Sequence, residues 1–105
     1  MSVVKLFLRS LREGRIYIAR VTKGGRNGRY AYLLPPIALL NAIGAKSGTR
    51  FRVVIFKDHV DYIIDEHGDY TLTLGRGNDP RIRFPLDVFG YVIVEPLPRG
   101  FRVYF

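Results

Sequence analysis

Residues 33–48, LLPPIALLNAIGAKSG, decide the fold. From 33 to 43 the stretch is apolar except for Asn41, yet two adjacent prolines stand inside it and Gly44 and Gly48 follow. Proline is tolerated at the first helical position, where its missing N–H has no intrahelical partner and its φ is already helical. The residue before a proline is pushed to extended geometry. Pro35 therefore ends a strand and Pro36 starts a helix. IALLNAI supplies good helix formers, and Gly44 suits the left-handed position just past a helix end. The spacing predicts a helix of about two turns over 36–43. With Asn41 as its only polar side chain, it is expected to be buried nearly all round.

Outward from this helix the chain alternates with period two, the pattern of β-strands. In RIYIARVT, residues 15–22, Arg15, Tyr17, Ala19 and Val21 share one face. KGGRNG, residues 23–28, is a glycine-rich turn, and RYAYLL resumes as a strand up to Pro35. After the helix, TRFRVVIF and VDYIID form a hairpin about KDH, with Phe51, Val53 and Ile55 on one face and Arg50 and Arg52 on the other. YTLTL, RIRF, YVIVE and FRVYF follow as further strands, separated by GRGNDP, PLDVFG and PLPRG. Pro96 and Pro98 confine the last turn to a strand end or edge. Residues 3–12 are ambiguous: VVKLFL alternates poorly, while Leu8, Leu11 and Arg12 suit a short helix.

A chain of 105 residues suits one domain with a modest core. It has no cysteine, which excludes a disulfide framework and a cysteine-based zinc site. MSVVKLFLRSLREG carries charges within its apolar stretch and no small-residue cleavage site, so a cytoplasmic protein without a membrane anchor is expected. The net charge is +8, and thirteen of the seventeen cations are Arg, which grips phosphate bidentately. Residues 1–60 hold twelve Lys/Arg against two acids; residues 61–105 hold five Arg against seven acids. The basic field thus lies in the first half, and a small basic chain points to nucleic acid. The competing reading is a solvated, ion-paired arginine surface.

The ordered unit resembles the AbrB family of swapped-hairpin proteins, which includes AbrB-type transition-state regulators and MazE-type antitoxins. The matching residues are Val21, Thr22, Lys23 and Gly24, then Leu34 and Pro35, Leu39 and Leu40, Ile43 and Gly44, Lys46 and Gly48, and Phe51 and Val53. The likeness covers residues 15–65. It implies a mainly β, swapped-hairpin barrel with one short helix, and an intertwined homodimer. It further implies DNA binding by basic residues on the first two strands and their loop: by position Arg20, Lys23, Arg26 and Arg29, with Arg15 beside them. The connection KGGRNGR is longer than the family's, and two prolines stand where one is usual. The chain then divides into an N-terminal extension, 1–14, a half-barrel, 15–66, and a C-terminal β extension, 67–105. Residues 81–105 again read strand, Pro, short turn, Gly, strand, Pro/Gly turn, strand. This makes a degenerate second half, and with it a monomeric pseudo-dimer, the alternative to a homodimer.

Other residues carry less. Tyr30 and Tyr32 suit either the core or stacking on unpaired bases, and core packing is the expectation. His59 and His67 with Asp58, Asp61, Asp65, Glu66 and Asp69 lack tight metal-ligand spacing, so no metal is expected. GRGNDP lacks the strand–loop–helix setting and the Lys-Ser/Thr of a phosphate loop. No nucleophile–base set stands out, so neither an enzyme nor a cofactor is expected. The leading expectation is a small DNA-binding regulator or antitoxin, with duplex DNA as partner. The alternatives are a basic accessory subunit of a polymerase or ribosome, and a protein-interaction module that contacts its partner through the acidic second half.

Overall fold

Alternation from residue 17 onward folds as nine antiparallel strands in the computed structural model, which describes residues 2–105. They are β1 (Tyr17–Gly24), β2 (Tyr30–Leu34), β3 (Arg50–Ile55), β4 (His59–Ile64), β5 (Tyr70–Thr71), β6 (Thr73–Leu74), β7 (Pro80–Phe84), β8 (Gly90–Leu97) and β9 (Gly100–Tyr104). Two helices accompany them: α1 (Val3–Arg12), ahead of β1, and α2 (Ile37–Ile43), between β2 and β3. The chain is a mainly β barrel with one short helix between hairpins and further C-terminal strands, as the sequence predicts.

The strand order is β5-β3-β4-β9-β8-β1-β2-β7-β6. Its two ends, β5 and β6, are separated in sequence by Leu72 alone. The Leu72 N–H donates to the Thr49 carbonyl at 2.9 Å, and its carbonyl accepts from Gly48 at 2.8 Å. Residues 70–74 thus act as one staple, pairing first with β3 and then with β7, and they bring the sheet round on itself. The sheet is thereby nearly closed, with residues 52–55 of β3 unpaired on the side away from β4.

The order has an internal exchange symmetry. Swapping β1 with β5–β6, β2 with β7, β3 with β8 and β4 with β9 leaves every pairing in place. The β1·β2 hairpin becomes β6·β7, β3·β4 becomes β8·β9, and β1·β8 becomes β5·β3. The pairs β2·β7 and β4·β9 map onto themselves. Residues 15–66 and 67–105 therefore interleave around one core. It holds Leu33, Phe51, Tyr62, Val94, Phe101 and Val103, all fully buried. Tyr62 stacks on Phe101 with centroids 4.6 Å apart, and Phe51 meets both edge-on. At Gly100 a side chain is excluded, because a Cβ there would overlap the carbonyl of Tyr62 on the neighbouring strand.

The helix α2 departs from expectation in two ways. Pro36 is its extended N-cap rather than its first turn, with ψ 146°, and Gly44 closes it in the left-handed region at φ 71°. It is also buried on one side only: Leu39 and Leu40 are buried and Ile43 half-buried, while Ile37, Asn41 and Ala42 face solvent. A two-turn helix lying on a barrel has a single face to cover. In the second half the equivalent link, residues 85–89, forms no helix; Leu86 and Val88 pack against the core instead.

The ambiguous segment is helical. Ser2 caps α1 by accepting from the Lys5 N–H at 3.2 Å. None of its residues is buried, and Val3, Val4, Leu6 and Leu8 are exposed.

Candidate nucleic-acid interface

Strand alternation sorts β1, β2 and β7 into an inner and an outer face. Val21, Ala31, Leu33, Ile82 and Phe84 point into the core. Their neighbours form the outer face: Arg20 and Thr22 on β1, Tyr30, Tyr32 and Leu34 on β2, Arg81 and Arg83 on β7. Register sets them side by side. Arg20 lies opposite Leu34, Thr22 opposite Tyr32, Tyr32 opposite Arg83, and Arg81 opposite Thr73 of the staple.

The tyrosines are not in the core, contrary to the sequence expectation: Tyr30 is 40% exposed and Tyr32 half-buried. Each ring is clamped. A Cβ on Gly24 would meet the Tyr32 ring at 2.5 Å, and one on Gly25 would meet Tyr30 at 2.7 Å. Over the rings lie guanidinium groups, Arg81 at 4.5 Å from the Tyr32 centroid and Arg83 at 4.2 Å from that of Tyr30. The glycines of KGGRNG therefore seat aromatic rings, beyond any freedom they give the backbone to approach phosphate.

The loops extend the face at both ends. Between β1 and β2 a 3-10 turn, Arg26–Gly28, carries Asn27 at φ 62°; between β6 and β7 a second, Arg76–Asn78, carries Asn78 at φ 62°. Because β2 and β7 are antiparallel, with Ala31 opposite Phe84 and Leu33 opposite Ile82, the two turns lie at opposite ends of the pair. Arg26 and Arg29 stand at one end and Arg76 at the other. GRGNDP is thus a turn, as its sequence context implies.

Ion pairing separates the arginines. Arg15, a predicted contact, is held by Glu13 at 2.7 Å, and Glu13 also takes Arg9. Arg52 pairs with Asp65 at 3.6 Å, and Arg50 donates to the Gly68 carbonyl at 2.8 Å. Arg102 forms a two-point pair with Asp61 at 2.7 and 3.0 Å, which holds the Arg102 guanidinium more firmly protonated than usual. Among the described residues, Arg12, Arg20, Arg26, Arg29, Arg76, Arg81, Arg83 and Arg99 have no carboxylate partner. The Lys23 ammonium rests 5.4 Å from the Phe89 ring. Six of these eight arginines belong to β1, β7 and the loops that flank the β1–β2–β7 face, whereas Arg12 lies on α1 and Arg99 between β8 and β9.

Of the predicted set, Arg20 lies on the outer face and Arg26 and Arg29 in the loop that extends it; Lys23 has the opposite strand parity and rests on Phe89, and Arg15 is tied to Glu13 ahead of β1. Sequence reasoning missed Arg76, Arg81 and Arg83. Counted by halves, the second half is acidic, so its basic strand is hidden. The local signal was RIRF, whose alternation puts both arginines on one face. Among the described residues no group of three or more His, Asp or Glu gathers to hold a metal ion. His59 instead bonds Asp58 at 2.6 Å, which holds that carboxyl below its usual range, and stacks on Phe56.

Comparison with protein-family models, with curated proteins and with solved structures finds no match.

Proposed function

We propose that the protein is a duplex-DNA-binding protein of AbrB type, a regulator or antitoxin, and that its two interleaved halves form a monomeric pseudo-dimer. One observation carries this reading: arginines without carboxylate partners, drawn from both halves, stand on neighbouring strands of one outer face, Arg20 on β1 and Arg81 and Arg83 on β7, with Arg26, Arg29 and Arg76 in the adjoining loops. Such a face suits phosphate contacts, with backbone and shape readout dominating over base contact. Duplex is preferred to single-stranded nucleic acid because Tyr30 and Tyr32 are already capped by guanidinium groups. A stacking platform needs open rings. The interleaved strand order supports the pseudo-dimer, since residues 67–105 supply the neighbours that a second copy would otherwise bring.

The test is binding to duplex DNA, single-stranded DNA and RNA across a salt series. The expected result is tightest binding to duplex, with affinity falling steeply and log-linearly as salt rises. Equal, weak binding to all three would leave only a diffuse basic surface. A second reading, a subunit that docks on a protein, is favoured by the exposed apolar side of α1. Among the described residues no helix is long and apolar enough to cross a membrane.

A further inference from the structure

Between the staple and β7 the outer face sinks into a cleft of about 530 Å³. Its walls are Thr71 and Thr73 on one side and Arg81 and Arg83 on the other, with Tyr32 and Asp69 beside them. That volume falls within the range of small-ligand sites.

Arg81 is fixed in this cleft by packing. Its stem lies against Gly75, where a Cβ would meet Cδ at 3.2 Å and Nε at 3.4 Å, and its guanidinium lies over the Tyr32 ring. Nε is buried and has no hydrogen-bond partner. Pre-ordering a guanidinium reduces the entropy lost when it closes on an oxyanion. The surrounding groups suit the same ligand: Arg83 adds a second positive charge and the threonines add hydroxyl donors. Asp69 is the opposing charge. It is exposed, and it accepts hydrogen bonds, so it suits a hydroxyl or amino group rather than the phosphate itself.

We propose that this cleft is a phosphate-binding subsite for a nucleotide unit, with Arg81 as its principal ligand through its terminal amino groups. The phosphate comes either from the backbone of bound DNA, an arm that rests on the function proposed above, or from a free nucleotide.

The test follows the side-chain Nε–H signals of the arginines by NMR in the full-length protein. The probes are inorganic phosphate, thymidine 5′-monophosphate and a short DNA duplex. The Arg81 signal is assigned by its loss in Arg81→Lys. It should shift and saturate with at least the nucleotide or the duplex, while the Arg12 signal on α1 does not saturate. Arg81→Lys keeps the charge but loses the planar fork, and should weaken the saturating probe roughly tenfold. Thr71→Val, on the opposite wall, should weaken it as well and serves if Arg81→Lys fails to fold. Saturation by the nucleotide, undisturbed by duplex, identifies a free ligand; saturation by duplex alone identifies the backbone. An Arg81 signal indifferent to every probe, with duplex still bound, overturns the subsite and leaves DNA binding standing. Nucleotide binding without duplex binding does the reverse.

Discussion

At the scale of single residues, charge matters less than what each charge already touches. Arg50 and Arg52 are as basic as Arg26 and Arg29, but each has a protein partner. Replacing a cation that grips phosphate should lower the log–log salt slope by about one for each phosphate no longer neutralised. Arg26→Ala with Arg29→Ala is thus expected to flatten the slope for duplex DNA by about two, whereas Arg50→Ala with Arg52→Ala should change it little. Equal effects from the two pairs would argue against a defined face. Tyr62 shows the same principle inside the barrel. Fully buried on β4, it donates to the Arg83 carbonyl of β7 at 2.6 Å, bracing the strand that carries two of the outer arginines. Burial pushes its phenol well above the ordinary value of 10.0. The folded state therefore holds this proton more tightly than the unfolded one. Its contribution is complete below pH 10.0 and declines as pH rises from there through the folded value. Tyr62→Phe should cost about 1 kcal/mol at neutral pH by removing the hydrogen bond. It should also make the alkaline fall in stability shallower, read from denaturant melts between neutral and strongly alkaline pH.

At the scale of elements, α2 anchors by two side chains. Leu39 and Leu40 are buried, whereas Ile37 is 63% exposed. Leu39→Ala and Leu40→Ala should each cost about 2–5 kcal/mol, and Ile37→Ala about 0.5 kcal/mol or less, by chemical denaturation. Thermal neutrality of both leucine variants would show that the helix is not docked. The staple is shorter still, yet it joins the two ends of the strand order, and Leu72 is buried between its halves. Its two backbone bonds to residues 48 and 49 tie it to the turn that leaves α2. Helix, turn and staple are thus connected.

At the scale of the whole molecule, two half-barrels are complementary because each leaves open the strands that the other fills. With the order closed by residues 70–74, the chain does not need a second copy to cover β2 or β4. Light scattering at dilute concentration is expected to give 12.0 kDa, with one cooperative unfolding transition shared by both halves. Twice that mass would restore the homodimer that the family resemblance implies. The interleaving also accounts for the composition of the outer face. Arg20 and Arg81 are sixty-one positions apart, yet only β2 separates their strands.

Local chemistry by itself determined the strands, the turns and α2. Alternation, paired glycines and the Pro–Gly bracket act over a few residues and do not depend on the rest of the chain. The hairpin arginines Arg20, Arg26 and Arg29 were legible for the same reason. Tertiary structure decided whatever depends on a partner distant in sequence. It exposed one side of α2, since only a docked helix has a buried and a free face. It turned Tyr30 and Tyr32 outward, because strand register fixes which neighbour points into the core. It brought Arg81 and Arg83 beside β2 from a half whose net charge is negative. Charge summed along a sequence says nothing of which strands lie together; pairing over long sequence separation does, and that is set by closing one core between both halves.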